Sequence, residues 1–113
     1  MIELICTRTC TTCRKAVALL EEKGIAFRYR EYREHPLSQK ELKRTLKLLG
    51  VSPREVLRRN DTAFEELGLT GDESDARLIA LMAEHPTLLQ RPIGIAGDRA
   101  VLGRPPEALL ALA

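Results

Sequence analysis

The chain has 113 residues, 44% hydrophobic and 30% charged, with a net charge of +2, which predicts one domain over residues 1–113 with a single packed core. No apolar run approaches the ~20 residues of a membrane helix, the charge is too small to point to nucleic acid, and Met1 leads into a strand rather than a secretory leader. Three cysteines, an odd number with two in a C-x-x-C, fit a reducing compartment better than a secreted disulfide framework, so a cytoplasmic monomer without membrane contact is expected.

The run Ile2-Glu3-Leu4-Ile5-Cys6 is short and apolar enough for a buried strand. Turn-like Thr7 to Cys10 follow, and residues 12–23 read as a helix that Gly24 stops. Residues 26–32 alternate large and charged side chains, as in a half-exposed strand. Strand, helix and strand in this order imply parallel pairing through a right-handed crossover. Ser38 and Glu41 form a capping-box pattern ahead of a helix carrying Leu42, Leu46 and Leu49, which ends at Gly50. Ser52-Pro53-Arg54-Glu55 repeats the signal for a short helix to about Arg58 or Arg59. Thr62 through Glu65 opens another, closed by Gly68. A longer helix is predicted over Asp75–Glu84, burying Leu78, Ile79, Leu81 and Met82, with Pro86 ending it or starting a further turn. Pro92–Ile95 and Ala100–Leu102 flank Ala96-Gly97-Asp98-Arg99, an antiparallel hairpin with Gly97-Asp98 in the turn. Pro105 and Pro106 begin a last helix carrying Leu109, Leu110 and Leu112.

The order is β-α-β, a helical insert over about 36–90, then β-β-α. With a C-x-x-C at the first strand–helix junction, it predicts an α/β fold: a thioredoxin-like four-stranded mixed sheet with a helical insert between strands 2 and 3. Cys10 stands where exposed N–H groups and the positive end of the helix dipole favour thiolate over thiol, with Arg8 and Arg14 adding positive potential. Cys10 is therefore the candidate nucleophile. A C-x-x-C is also half of a zinc site, and buried cysteines are often inert packing. Zinc would need two more ligands from Cys6, His35 and His85, and each histidine directly precedes a proline. Redox or nucleophilic chemistry without a metal is the favoured reading. Cys13 lies one helical turn from Cys10, close enough for a disulfide, or it faces inward and packs.

Three arginines are singled out: Arg58 ahead of Asn60, Arg91 ahead of Pro92 and Arg104 ahead of Pro105. In a thioredoxin-like sheet the proline opening the third strand lies beside the helix-1 cysteine, which brings Arg91 near Cys10. Most surface arginines are simply solvated. Guanidinium forks are nonetheless the preferred partners of tetrahedral oxyanions, and several converging on a thiolate would bind one.

Over nearly its whole length the chain resembles the glutaredoxin-dependent ArsC-type arsenate reductases and their relatives, the Spx regulators and the YffB-like proteins. The residues that carry the resemblance are Cys10-Thr11-Thr12-Cys13-Arg14-Lys15-Ala16, Val56-Leu57-Arg58-Arg59-Asn60, Glu84-His85-Pro86, Leu89-Gln90-Arg91-Pro92-Ile93 and Gly103-Arg104-Pro105. The resemblance implies that Cys10 attacks arsenate and that Arg58, Arg91 and Arg104 hold the oxyanion. It implies glutathione as co-substrate, glutaredoxin to recycle the mixed disulfide, and no bound cofactor. The string CTTCRKA looks most like Spx, in which C-x-x-C is a redox switch on a regulator that binds RNA polymerase. A glutathione-dependent thiol reductase with another substrate is the third implied function. The loop departs from the reductases' usual His-Asn-Pro-x-Cys, because Cys6 replaces the histidine. Cys13 replaces a non-thiol residue, and the chain stops at Ala113 without the longer tail of the best-known reductases.

Overall fold

The computed structural model describes residues Met1–Ala113. The chain divides into two compact units, one of residues 1–35 with 91–113 and one of residues 36–90. No helix is long and apolar enough to cross a membrane.

The first unit carries β1 (Ile2–Cys6), α1 (Thr11–Glu22), β2 (Phe27–Glu31), β3 (Ile93–Ala96) and β4 (Arg99–Leu102), ending in a 3₁₀ helix, Pro106–Leu112. The strands form one mixed sheet in the order β2-β1-β3-β4. β1 pairs in parallel with β2 and antiparallel with β3, and β3 and β4 form the hairpin. β1 is thus a central strand covered on both faces, which is why its sequence is a nearly continuous apolar run rather than an alternation. The hairpin turn is two residues, Gly97-Asp98, with Gly97 at φ 61°, a left-handed conformation that glycine adopts without penalty. Pairing runs one residue further toward the turn than alternation alone indicates, through Ala96 and Arg99.

The core of this unit joins Ile2, Leu4, Ala16 and Leu20 to Leu109 and Leu112 of the terminal helix. That helix winds as 3₁₀ and not α. With three residues per turn, side chains at i and i+3 eclipse, so Leu109 and Leu112 stack on one face and both are buried. They close on Gly94 of β3, where an added Cβ would fall 2.7 Å from Leu109 Cδ2 and 2.8 Å from Leu112 Cδ1. Gly94→Ala is therefore expected to lower stability by about 1–3 kcal/mol through overpacking. A denaturant midpoint equal to that of the parent chain would show that the helix yields freely.

The second unit carries α2 (Gln39–Leu49), a 3₁₀ turn Pro53–Val56, α3 (Thr62–Glu66), α4 (Asp75–Glu84) and a 3₁₀ turn Pro86–Leu88. α2 opens on the capping box of Ser38 and Glu41 and closes on Gly50 at φ 71°. α4 buries Leu78, Ile79, Leu81 and Met82 and packs against α2. The helix expected to reach Arg58 is a single turn. Leu57 leaves it in extended conformation and bridges Leu89, with the Arg58 N–H donating to the Leu88 carbonyl at 2.8 Å and the Gln90 N–H to that of Val56 at 2.8 Å. Strand-like pairing takes the donors that a longer helix would have used. α3 is capped by Asp61 and not by Thr62; the Asp61 carboxylate accepts from the Ala63 N–H at 3.1 Å.

Candidate active site

Cys10 is the N-cap of α1: its backbone is extended, its carbonyl accepts the first helical bond from Arg14, and its side chain forms no capping bond. The sulfur is thus left at the helix end for other partners, and it accepts a hydrogen bond from the Arg91 guanidinium. Arg91 precedes β3 through a cis peptide bond to Pro92, and its Nη1 also donates to the buried Tyr32 hydroxyl at 3.2 Å. The Arg91 carbonyl in turn accepts from Nη1 of Arg104 at 2.7 Å. Cys10, Arg91 and Arg104 therefore form one connected group in the first unit.

Cys13 lies on the inner face of α1 at 1% exposure, with Cys6 at the end of β1 fully buried. Both belong to the apolar core cluster of this unit, and Cys10 packs against it. The Cys6 S–H donates to the Cys13 sulfur. This bond is the main reason why the Cys13 thiol is lowered to about 7: it outweighs the opposing effect of burial, with the Thr7 N–H, the Cys10 thiol and the Arg91 charge assisting. The Cys6 thiol is pushed far up, first because it gives its proton to this bond and then by burial. Negative charge on the cluster thus rests on the central sulfur, Cys13. All three cysteines are free thiols, and no group of three or more His, Cys, Asp or Glu side chains stands where it could hold a metal ion.

The loop between β1 and α1 is held from below by Glu31, the last residue of β2. Its carboxylate accepts from the Arg8 N–H at 2.9 Å, the Arg33 N–H at 3.4 Å and the Tyr29 hydroxyl at 3.5 Å. Burial opposes its charge, but the Arg8 N–H, the buried Thr7 hydroxyl and the Arg33 N–H together hold the carboxyl below the usual carboxylate range. Arg8, expected to add potential beside Cys10, instead places its guanidinium 3.7 Å from Glu31 and 5.5 Å above the Tyr29 ring. Arg14 reaches back to the Thr9 carbonyl at 3.5 Å.

Arg58 belongs to the second unit. Its Nη1 donates to the Asp61 carboxylate at 2.8 Å and to the Thr87 carbonyl at 3.0 Å, while Asp61 also accepts from the Thr87 hydroxyl at 2.9 Å. Asp61 thus both caps α3 and fixes this guanidinium. Sequence reasoning missed Glu31, Tyr32 and Asp61. The parallel register that sets Cys6 opposite Glu31 was the available signal for the first, since it places the end of β2 beside the loop leaving β1.

A mixed sheet in this order, with a cysteine pair where the first strand meets the first helix, defines a thioredoxin-like α/β protein. The ArsC family model matches residues 6–112. The chain is 40% identical over 103 residues to the arsenate reductase of Haemophilus influenzae, covering 89% of each protein. It is 40% identical over 105 residues to that of Neisseria meningitidis serogroup A, covering 91% of this chain and 90% of that one. The structure of the arsenate reductase from Vibrio cholerae superposes with a TM-score of 0.91 at 38% identity, covering 99% of this chain and 97% of that one. The chain belongs to the ArsC family.

Proposed function

We propose that this chain is a thiol oxidoreductase that reduces arsenate or a similar oxyanion, with Cys10 as nucleophile. The observation that carries the reading is the guanidinium of Arg91 on the Cys10 sulfur: a fork placed on that sulfur also suits an oxyanion beside it. The names of the relatives support the substrate class. Cys10 passes its proton to Cys13, to which it is already hydrogen-bonded, and attacks arsenic. A sulfur–arsenic bond forms as one oxygen leaves as hydroxide and takes a proton from solvent to become water. Cys13, its thiol lowered to about 7, gives up the proton it received and stands again as a thiolate. Arg91 and Arg104 stabilise charge on the remaining oxygens. Arg58 enters this reading through the family motif alone, and its substitution is its own test.

Release of arsenite needs a second thiolate to attack the Cys10 sulfur. The sulfur–arsenic bond then breaks with its electron pair on arsenic, which is reduced by two electrons as two thiols are oxidised to a disulfide. Cys13 can supply that thiolate from within the chain, and glutathione with glutaredoxin can supply it from outside. Arsenite production from arsenate, with glutathione and glutaredoxin present or omitted, tests the reading. No arsenite under any condition, together with retention of RNA polymerase in a pull-down, would instead favour an Spx-like regulator in which Cys10 and Cys13 are a switch. Thiol–disulfide turnover on glutathionylated substrates without arsenite production would favour a glutathione-dependent reductase of another substrate.

A further inference from the structure

We propose that Cys6 is a positioning residue for Cys13, donating its S–H within the core so that the buried partner of Cys10 stands ready as the thiolate that resolves adducts on Cys10. This rests on the assignment of Cys10 and Cys13 above and adds a third thiol to it. Cys6 ends β1 and Cys13 occupies the first turn of α1, so the strand–helix junction itself fixes the pair. Both are buried in one apolar cluster, where a thiolate has no water to solvate it and its hydrogen bonds must come from the protein. The cluster provides three: the Cys6 S–H, the Thr7 N–H and the Cys10 thiol. Of these, the Cys10 contribution disappears once Cys10 carries an adduct. Cys6 and Thr7 then remain to hold the charge at the moment when Cys13 must attack.

The step is balanced within the chain. The Cys13 thiolate attacks the Cys10 sulfur, the Cys10–Cys13 bond forms, and the group on Cys10 leaves with the electron pair of the broken bond. Cys6 keeps its proton throughout. Burial excludes bulky external thiols and oxidants from Cys13, so that its reaction is confined to Cys10.

A thiolate held by a hydrogen bond is more abundant near neutral pH but intrinsically less nucleophilic, and this gives Cys6 a signature that mere packing lacks. The probe is the mixed disulfide of Cys10 with thionitrobenzoate, whose release on closure by Cys13 is read at visible wavelengths. Replacing Cys6 by Val should return Cys13 toward the free-thiol value of about 8.5. With a Brønsted slope of about 0.45, closure should then be about three- to fivefold slower between about pH 6.5 and 7, about fourfold faster above about pH 9.5, and equal to the parent near about pH 8. Cys6→Ser, which retains a donor, should restore a profile close to that of the parent. Thiolate absorbance in a Cys10→Ser background reads the same titration without any closure step. There Cys6→Val should move the Cys13 midpoint up, and Cys6→Ser should not. Profiles that never cross, or a midpoint unmoved by Cys6→Val, would overturn the proposal. Failure of closure in the parent chain, with the midpoint shift intact, would instead overturn the resolving role of Cys13 and leave the pairing with Cys6 standing.

Discussion

Cys10→Ser is expected to abolish arsenite production, by at least about a thousandfold, while leaving the fold as stable as the parent or slightly more so. The chemical half of this expectation follows from access. Cys13 holds the negative charge of the cluster, but at 1% exposure it cannot meet a tetrahedral oxyanion; Cys10 is partly exposed at the helix end, with Arg91 on its sulfur. A nucleophile must be reachable, so the outer thiol is the one expected to carry the first step. The structural half follows from the cap. The Cys10 side chain makes no capping bond, and serine is among the best N-cap residues, so the replacement can only add one to α1. Thermal unfolding of the variant beside its turnover separates the two effects. Full activity in Cys10→Ser, with loss in Cys13→Ser, would reverse the assignment.

The elements that chain order and punctuation make visible are those whose stabilisation is local. α4 falls on Asp75–Glu84 with the expected four apolar residues buried, and α2 opens and closes on the residues that its capping signals indicate. The turn at Pro53–Val56 and the terminal 3₁₀ helix departed from expectation because tertiary partners decide them. Leu57 is taken by a bridge to Leu89, and Leu109 and Leu112 stack to reach Gly94. Neither partner is near in sequence, so neither leaves a periodic signature.

The site follows the same division. Cys10 at a helix N-terminus is legible from composition and spacing, and Arg91 follows from topology once the proline after it is assigned to the opening of β3. The pairing of Cys6 with Cys13 was not legible, because Cys6 reads as one more apolar residue in a buried strand. Its role depends on which face of α1 is turned inward. Glu31 was similarly disguised, as a charged residue in an alternating strand where charge ordinarily marks the solvent face; it is buried, with the loop's own N–H groups as its partners. Arg8 shows the converse error, since nearness in sequence to Cys10 did not decide where its guanidinium went.

Arg91→Gln should lower kcat/KM for arsenate by about 10- to 150-fold, the worth of one charge-assisted contact of about 1.5–3 kcal/mol. The side chain holds two directions at once, toward the Cys10 sulfur and toward the Tyr32 hydroxyl, and a planar fork can do so where a single ammonium cannot. Arg91→Lys should therefore recover only part of the loss despite keeping the charge. The loss should appear in KM as well as kcat, because in the proposed role the same guanidinium meets the oxyanion in the ground state and the thiolate during attack. Inorganic sulfate or phosphate should compete with arsenate in the parent chain and compete less well in Arg91→Gln. Arg104→Gln should act in the same direction, since its Nη1 braces the Arg91 carbonyl, and combining the two should cost less than the product of the separate losses because they belong to one connected group. Unchanged kcat/KM in Arg91→Gln, with unchanged competition by sulfate, would remove Arg91 from the oxyanion site and leave its bond to Cys10 as a purely structural contact.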